Sequence, residues 1–111
     1  MTPVDLLHAT RIIIAVPERW CQRYCALDGF DLPVQSDSVT ACRWCIRGAL
    51  GLAAKAAGIA ACSGAYPVAE RALTSFIPDR LLSPWNDAPE RTHAEVMALI
   101  DLAITSLEPH A

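Results

Sequence analysis

Long apolar runs, strand-forming aromatics and positive charge are all scarce in this chain of 111 residues. The run Ile12-Ile13-Ile14-Ala15-Val16 is far shorter than the ~20 apolar residues that cross a bilayer, so no membrane segment is expected. The start carries Asp5 and His8 where a secretory signal would carry basic residues, and Pro17-Glu18-Arg19 follows the apolar run. No export is therefore expected, and the cytoplasm is the expected compartment. Two Phe and two Tyr give little of the aromatic enrichment that strands prefer. The net charge is −3, and residues 56–111 hold three basic against seven acidic groups. That half would repel a phosphate backbone, which disfavours general nucleic-acid binding. Five cysteines are an odd number, which argues against a fully paired disulfide framework, and a reducing compartment would keep them as thiols.

What is present is apolar and alanine-rich: 53% of residues are hydrophobic and 19% charged. That balance belongs to a folded globular chain and excludes a disordered one. One domain spanning 1–111 is expected, long enough to bury roughly two-thirds of its unfolded surface.

Thr2-Pro3-Val4-Asp5 reads as a helix start, with a capping hydroxyl, a proline in the first turn and an acid at the positive end of the dipole. The helix should end before Pro17 and be buried on more than one side. Residues 18–37 are irregular, and Asp28-Gly29 between alternating residues admits a short hairpin or a loop. From Asp37 or Ser38, the residues Cys42, Cys45, Ile46, Ala49, Ala53, Ala56 and Ala57 recur at helical steps. Arg43 and Arg47 fall on the opposite face. Gly48 and Gly51 weaken a helix, so they would serve the close approach of a neighbouring helix, and Gly58 stops it. A third helix is expected from Tyr66-Pro67 to Pro78-Asp79, with Ala69, Ala72, Leu73, Phe76 and Ile77 inward. Residues 80–91 read as a connection. Thr92-His93-Ala94-Glu95 matches a capping box, with Val96, Leu99, Ile100, Ala103 and Leu107 lining one face beyond it. The expected fold is mainly all-α: a bundle of about four helices, with an irregular or hairpin-containing loop between the first two.

Two segments carry a family resemblance. Arg43-Trp44-Cys45-Ile46-Arg47-Gly48-Ala49-Leu50 fits an R-W-C-x-x-G-A-L pattern. Trp85-Asn86-Asp87 through Arg91-Thr92 to Glu95-Val96 fits W-N-D-x-x-x-R-T-x-x-E-V. In this order they resemble a family of small bacterial and phage-encoded proteins known only as a domain of unknown function. Trp20-Cys21-Gln22 and Asp28-Gly29 are similar to its N-terminal portion, and residues 56–80 are the least similar. The resemblance implies one compact domain with the motifs packed together and implies no activity. Of the cysteines only Cys45 belongs to its pattern; Cys21, Cys25, Cys42 and Cys62 do not.

Three chemistries can be written on these residues. Cys21 and Cys25, with Cys42 and Cys45, could offer zinc four thiolates, although free cysteine also packs as a small hydrophobe. Cys42-Arg43-Trp44-Cys45 could be a redox dithiol at a helix start, but no strand of a βαβ unit precedes it. Cys45 could act as a nucleophile with His93 as base and Asn86 or Asp87 orienting it. The plainer alternative puts His93 on a solvent face and has Asn86 and Asp87 bond nearby backbone. His8 and His110 have no partner pattern and read as surface residues. Arg43 and Arg47, joined by Arg19 and Arg23 if the loop folds back, could hold a phosphate or an acidic partner; a solvated helix face is the commoner outcome. Trp20, Trp44 and Trp85 should meet near the start of the second helix, as core or, if exposed, as binding anchors.

No enzymatic constellation outweighs its bland alternative, so the expected function is a non-catalytic protein-interaction module. Its partner would be a host or cellular protein, and the phage-like resemblance points to an inhibitor of host defence. Binding residues would include Trp20, Arg43, Trp44, Arg47 and Trp85, with the acids Glu90, Asp101 and Glu108. No cofactor is expected, zinc being the alternative, and the small-residue face of Gly48 and Gly51 would suit a homodimer.

Overall fold

Two capping boxes define the first and last helices of the computed structural model, which describes residues 1–60 and 64–108. Thr2 Oγ1 accepts the Asp5 N–H (3.1 Å) while the Asp5 carboxylate accepts the Thr2 N–H (3.0 Å), opening α1 (Pro3–Ile13). Thr92 and Glu95 repeat the arrangement (3.2 and 2.9 Å) at the start of α5 (His93–Leu107). Each box satisfies N–H groups that the first turn otherwise leaves unpaired.

Those backbone bonds, before any other influence, hold the Asp5 and Glu95 carboxyls below the usual carboxylate range. A folded-state pKa that is depressed stabilises fully above the ordinary carboxylate pKa of ~4 and is lost as pH falls through the folded value. We therefore expect Glu95→Ala, which removes the carboxylate that accepts the Thr92 N–H, to open a gap in melting temperature from wild type at neutral pH. Thermal melts should show that gap from wild type narrowing as the solution is acidified below ~4. A gap independent of pH would mean that the Glu95 half of the box contributes nothing.

Between these helices run a 3-10 turn (Pro17–Arg19) and three two-residue strands, β1 (Ala26–Leu27), β2 (Pro33–Val34) and β3 (Arg43–Trp44). Helices α2 (Ile46–Ala56), α3 (Ala65–Thr74) and α4 (Leu82–Asp87) follow. The strands form an antiparallel sheet in the order β2-β1-β3, with Ala26 opposite both Val34 and Trp44. Helix α1 packs against α2, α3 and α5, and α3 packs against α5. Leu6, Leu7, Ile14, Ile46, Leu50, Leu73, Val96 and Ile100 are fully enclosed in the core. None of the described helices is long and apolar enough to cross a membrane.

The fold is mainly helical but not the expected bundle of four: the described residues hold five α-helices and a small sheet. The second helix begins at Ile46, not at Asp37 or Ser38. Pairing with β1 draws Arg43 and Trp44 into a strand, and the Cys42 N–H donates to Leu27 O (2.9 Å). Cys42 is therefore exposed outside the helix, and Arg43 and Arg47 do not share a helical face. Ala56 and Ala57 are exposed too, while Gly58 ends the helix at φ +71° as its stop requires. Helix α3 stops at Thr74, leaving Phe76 exposed but Ile77 buried beyond it. The expected connection at 80–91 contains α4, with Pro84 in its first turn, where a missing N–H costs nothing. Cys62 and His110 lie outside the described residues.

Candidate functional site

The two family-like motifs meet at Asn86, which α4 carries into the interior with no exposed surface. Its Oδ1 accepts from Trp20 Nε1 (2.8 Å) and from the Ile46 N–H (3.2 Å), the first amide of α2. Its Nδ2 donates to Cys21 O (3.2 Å) and to Asp87 Oδ1 (3.0 Å). Asp87 Oδ1 also accepts the N–H of Arg23 (2.7 Å), a residue turned to φ +77°. Gln22 Nε2 closes the network on the carbonyls of Asn86 (2.9 Å) and Ala88 (2.8 Å). Among the described residues no buried side-chain nitrogen or oxygen lacks a partner. A fully satisfied buried network of this kind rigidifies the chain around it.

The remaining motif residues support the same joint. Arg91 lies over the Trp85 ring, 4.0 Å from its centroid, and donates from Nε to Trp85 O (2.9 Å). It also pairs with Glu95 (3.2 Å). Trp20 and Trp44 form an isolated parallel bridge, and Trp44 Nε1 donates to Ser36 O (2.9 Å). All three tryptophans are partly buried against the core. Asn86 and Asp87 thus reach distant backbone rather than fixing the turn before α5.

His93 is half-buried rather than facing solvent. Its Nε2 meets Ile14 O at 2.7 Å, clamping the end of α1 to the start of α5. A carbonyl can only accept, so Nε2 carries the proton. The other expected members of a catalytic triad have separate duties: Cys45 caps α2, its Sγ accepting the Gly48 N–H (3.2 Å). Burial pushes the Cys45 thiol up to about 11 and the Cys21 thiol up to about 12. Cys25 and Cys42 are exposed, and the Cys45 N–H donates to Cys25 O (3.2 Å) across the sheet. Among the described residues, no three His, Cys, Asp or Glu side chains are gathered so as to hold a metal ion. Since the thiolate is the reacting species, iodoacetamide at neutral pH should label Cys25 and Cys42 and spare Cys21 and Cys45. Peptide mass mapping reads this directly; early labelling of Cys45 would refute its burial.

The expected acidic contacts are partly engaged within the chain. Asp101 pairs with Arg11 (2.7 Å) and Glu108 with His8 (3.4 Å), while Glu90 is exposed and has no ion pair among the described residues. Arg43 pairs with Asp31 (3.0 Å), and Arg47 lines a separate groove with Arg71 and Arg80.

No motif in the sequence marks the apolar surface carried by the β1–β2 loop. Asp28 Oδ1 accepts the N–H groups of Phe30 (2.8 Å) and Leu32 (3.0 Å), and the Asp28 N–H donates to Leu32 O (3.0 Å). Asp31 rather than Gly29 takes the left-handed conformation, at φ +60°, and its pair with Arg43 ties the β1–β2 loop to β3. The locked loop presents Phe30, 86% exposed, and Leu32, 59% exposed; Tyr24 and a fully exposed Val39 lie on the same segment. Asp28-Gly29 did signal a turn, which puts Phe30 near its tip.

One family model, described as a family of unknown function (DUF6197), matches residues 1–106. No curated protein and no solved structure gives a match. The chain belongs to the DUF6197 family.

Proposed function

We propose that this member of the DUF6197 family is a non-catalytic protein-interaction module that engages its partner through the hairpin loop at residues 28–32. The observation that carries the reading is the exposure of Phe30 on a loop already locked by Asp28 and by the Asp31–Arg43 pair. A rigid apolar anchor loses little freedom on binding, and aromatic side chains supply much of the energy at interfaces. The occupied side chains of Asn86 and His93, with the high thiol pKa of Cys45, fit scaffolding better than acid–base or nucleophilic chemistry. The finer reading, an inhibitor that covers a host protein, is supported by the sequence resemblance alone.

Photo-crosslinking tests this. Benzoylphenylalanine placed at Phe30 should give one discrete heavier product with another protein in producing cells. The same group at Leu102, exposed on α5, should give none. Equal products from both positions, or none from Phe30, would end the proposal.

A further inference from the structure

A groove on another part of the molecule concentrates positive charge in an acidic chain. Arg47 from the first turn of α2, Glu70 and Arg71 from α3, and Arg80, Leu81 and Leu82 at the entry to α4 line a cavity of about 480 Å³. That lies within the range of small-molecule sites. The chain carries a net −3, and residues 56–111 hold only three basic side chains, two of them Arg71 and Arg80. Arg11, Arg43, Lys55 and Arg91 each have a carboxylate partner, whereas Arg19 and Arg23, which do not line the groove, have none among the described residues. Among the described residues, none of the three groove arginines has one within 4.0 Å. Arg80 also sits at φ +57°, a conformation that glycine or asparagine would adopt more easily.

We propose that this groove binds a small phosphorylated molecule, a phosphomonoester on a hydroxyl-bearing organic body. Guanidinium forks match the geometry of phosphate oxygens and bind them through charge-assisted pairs. Leu81 and Leu82 give the organic body an apolar wall, and the Glu70 carboxylate accepts from its hydroxyl or amino groups. A nucleic acid would need positive charge extended over many phosphates, which a chain of net charge −3 disfavours. The site is independent of the hairpin surface and stands or falls without it.

Isothermal titration calorimetry at low ionic strength, using AMP, glucose 6-phosphate and inorganic phosphate, tests the proposal. At least one ester should bind saturably and more tightly than inorganic phosphate, and which one does so identifies nucleotide or sugar as the source. Arg71→Gln and Arg80→Gln should each weaken that binding roughly tenfold or more, with unchanged thermal melts because both side chains are exposed. Glu70→Gln should shrink the preference for the ester over inorganic phosphate, because it removes an acceptor oxygen for the organic body and a charge that repels both phosphates alike. The proposal is overturned if neither ester binds more tightly than inorganic phosphate, or if binding survives the double arginine substitution. It is equally overturned if a single-stranded oligonucleotide or an acidic peptide binds where the esters do not.

Discussion

Gly48→Ala is expected to lower the melting temperature by at least about 12 °C, corresponding to about 3 kcal/mol or more in a domain of this size. The added Cβ would sit 2.0 Å from Cys25 O and 2.8 Å from Cys25 C. Those are backbone atoms, so no side chain can swing aside. The carbonyl is also engaged, accepting the N–H of Cys45, the residue that caps α2. Relief of the clash requires either pulling β1 away from β3 or lifting the first turn of α2 off the sheet. Both disturb the joint at Asn86, whose amide oxygen holds the Ile46 N–H. Gly51→Ala is the matched control. Its nearest neighbour would be Ser36 Oγ at 3.9 Å, an ordinary contact, and alanine is the better helix former by about 0.5–1 kcal/mol. Circular-dichroism melts of the two variants should move in opposite directions. A Gly48→Ala protein with the wild-type melting temperature would show that the sheet and helix are not in contact as described.

The second large effect is expected at Asn86. Replacement by alanine leaves Trp20 Nε1, the Ile46 N–H and Cys21 O without the partners they now have. It also opens a small cavity. A buried polar group deprived of its partner costs about 1–3 kcal/mol, and losses within one network do not simply add. We expect a total of about 4 kcal/mol, read from the urea midpoint with an unchanged slope. A loss below about 1 kcal/mol would mean that water replaces the amide and that the network is dispensable. Asn86→Asp separates donor from acceptor. It keeps an oxygen for Trp20 and Ile46, removes the donor to Cys21 O, and sets a second carboxylate against Asp87 Oδ1. Burial and like charge would raise the folded-state pKa of the introduced carboxyl above its unfolded value. The folded state then binds more protons, so the penalty is largest above that folded pKa and shrinks as pH falls. A penalty indifferent to pH would argue against the Asn86–Asp87 contact.

The two capping boxes lie wholly within four-residue segments, so both helix starts could be read directly from Thr2-Asp5 and Thr92-Glu95. The start of α2 could not. Cys42, Cys45 and Ile46 continue the three- and four-residue spacing of the helix backwards by coincidence, and the true N-cap is a cysteine, outside the usual capping set. Arg43 and Trp44 become a strand only because Leu27 and Ala26 lie beside them. Helix α4 was equally hidden, being six residues long and having no side-chain cap. Its Pro84, Asn86 and Asp87 read as turn chemistry.

The candidate site divides the same way. The family resemblance grouped Trp85, Asn86, Asp87, Arg91, Thr92 and Glu95, and Asp28-Gly29 marked the turn that carries Phe30. Neither showed that Asn86 bonds chain 40 and 66 residues away, nor that Arg47 faces Arg71 and Arg80 across a groove. The sequence by itself determined the helix-rich character, the caps of α1 and α5, the stop at Gly58 and the turn at Asp28, because each depends on groups a few residues apart. The tertiary structure alone decided where α2 begins, why Gly48 must lack a side chain and which arginines share a surface. Those outcomes depend on burying the apolar faces of all the helices together while leaving no interior polar group unpaired, and no local spacing records that.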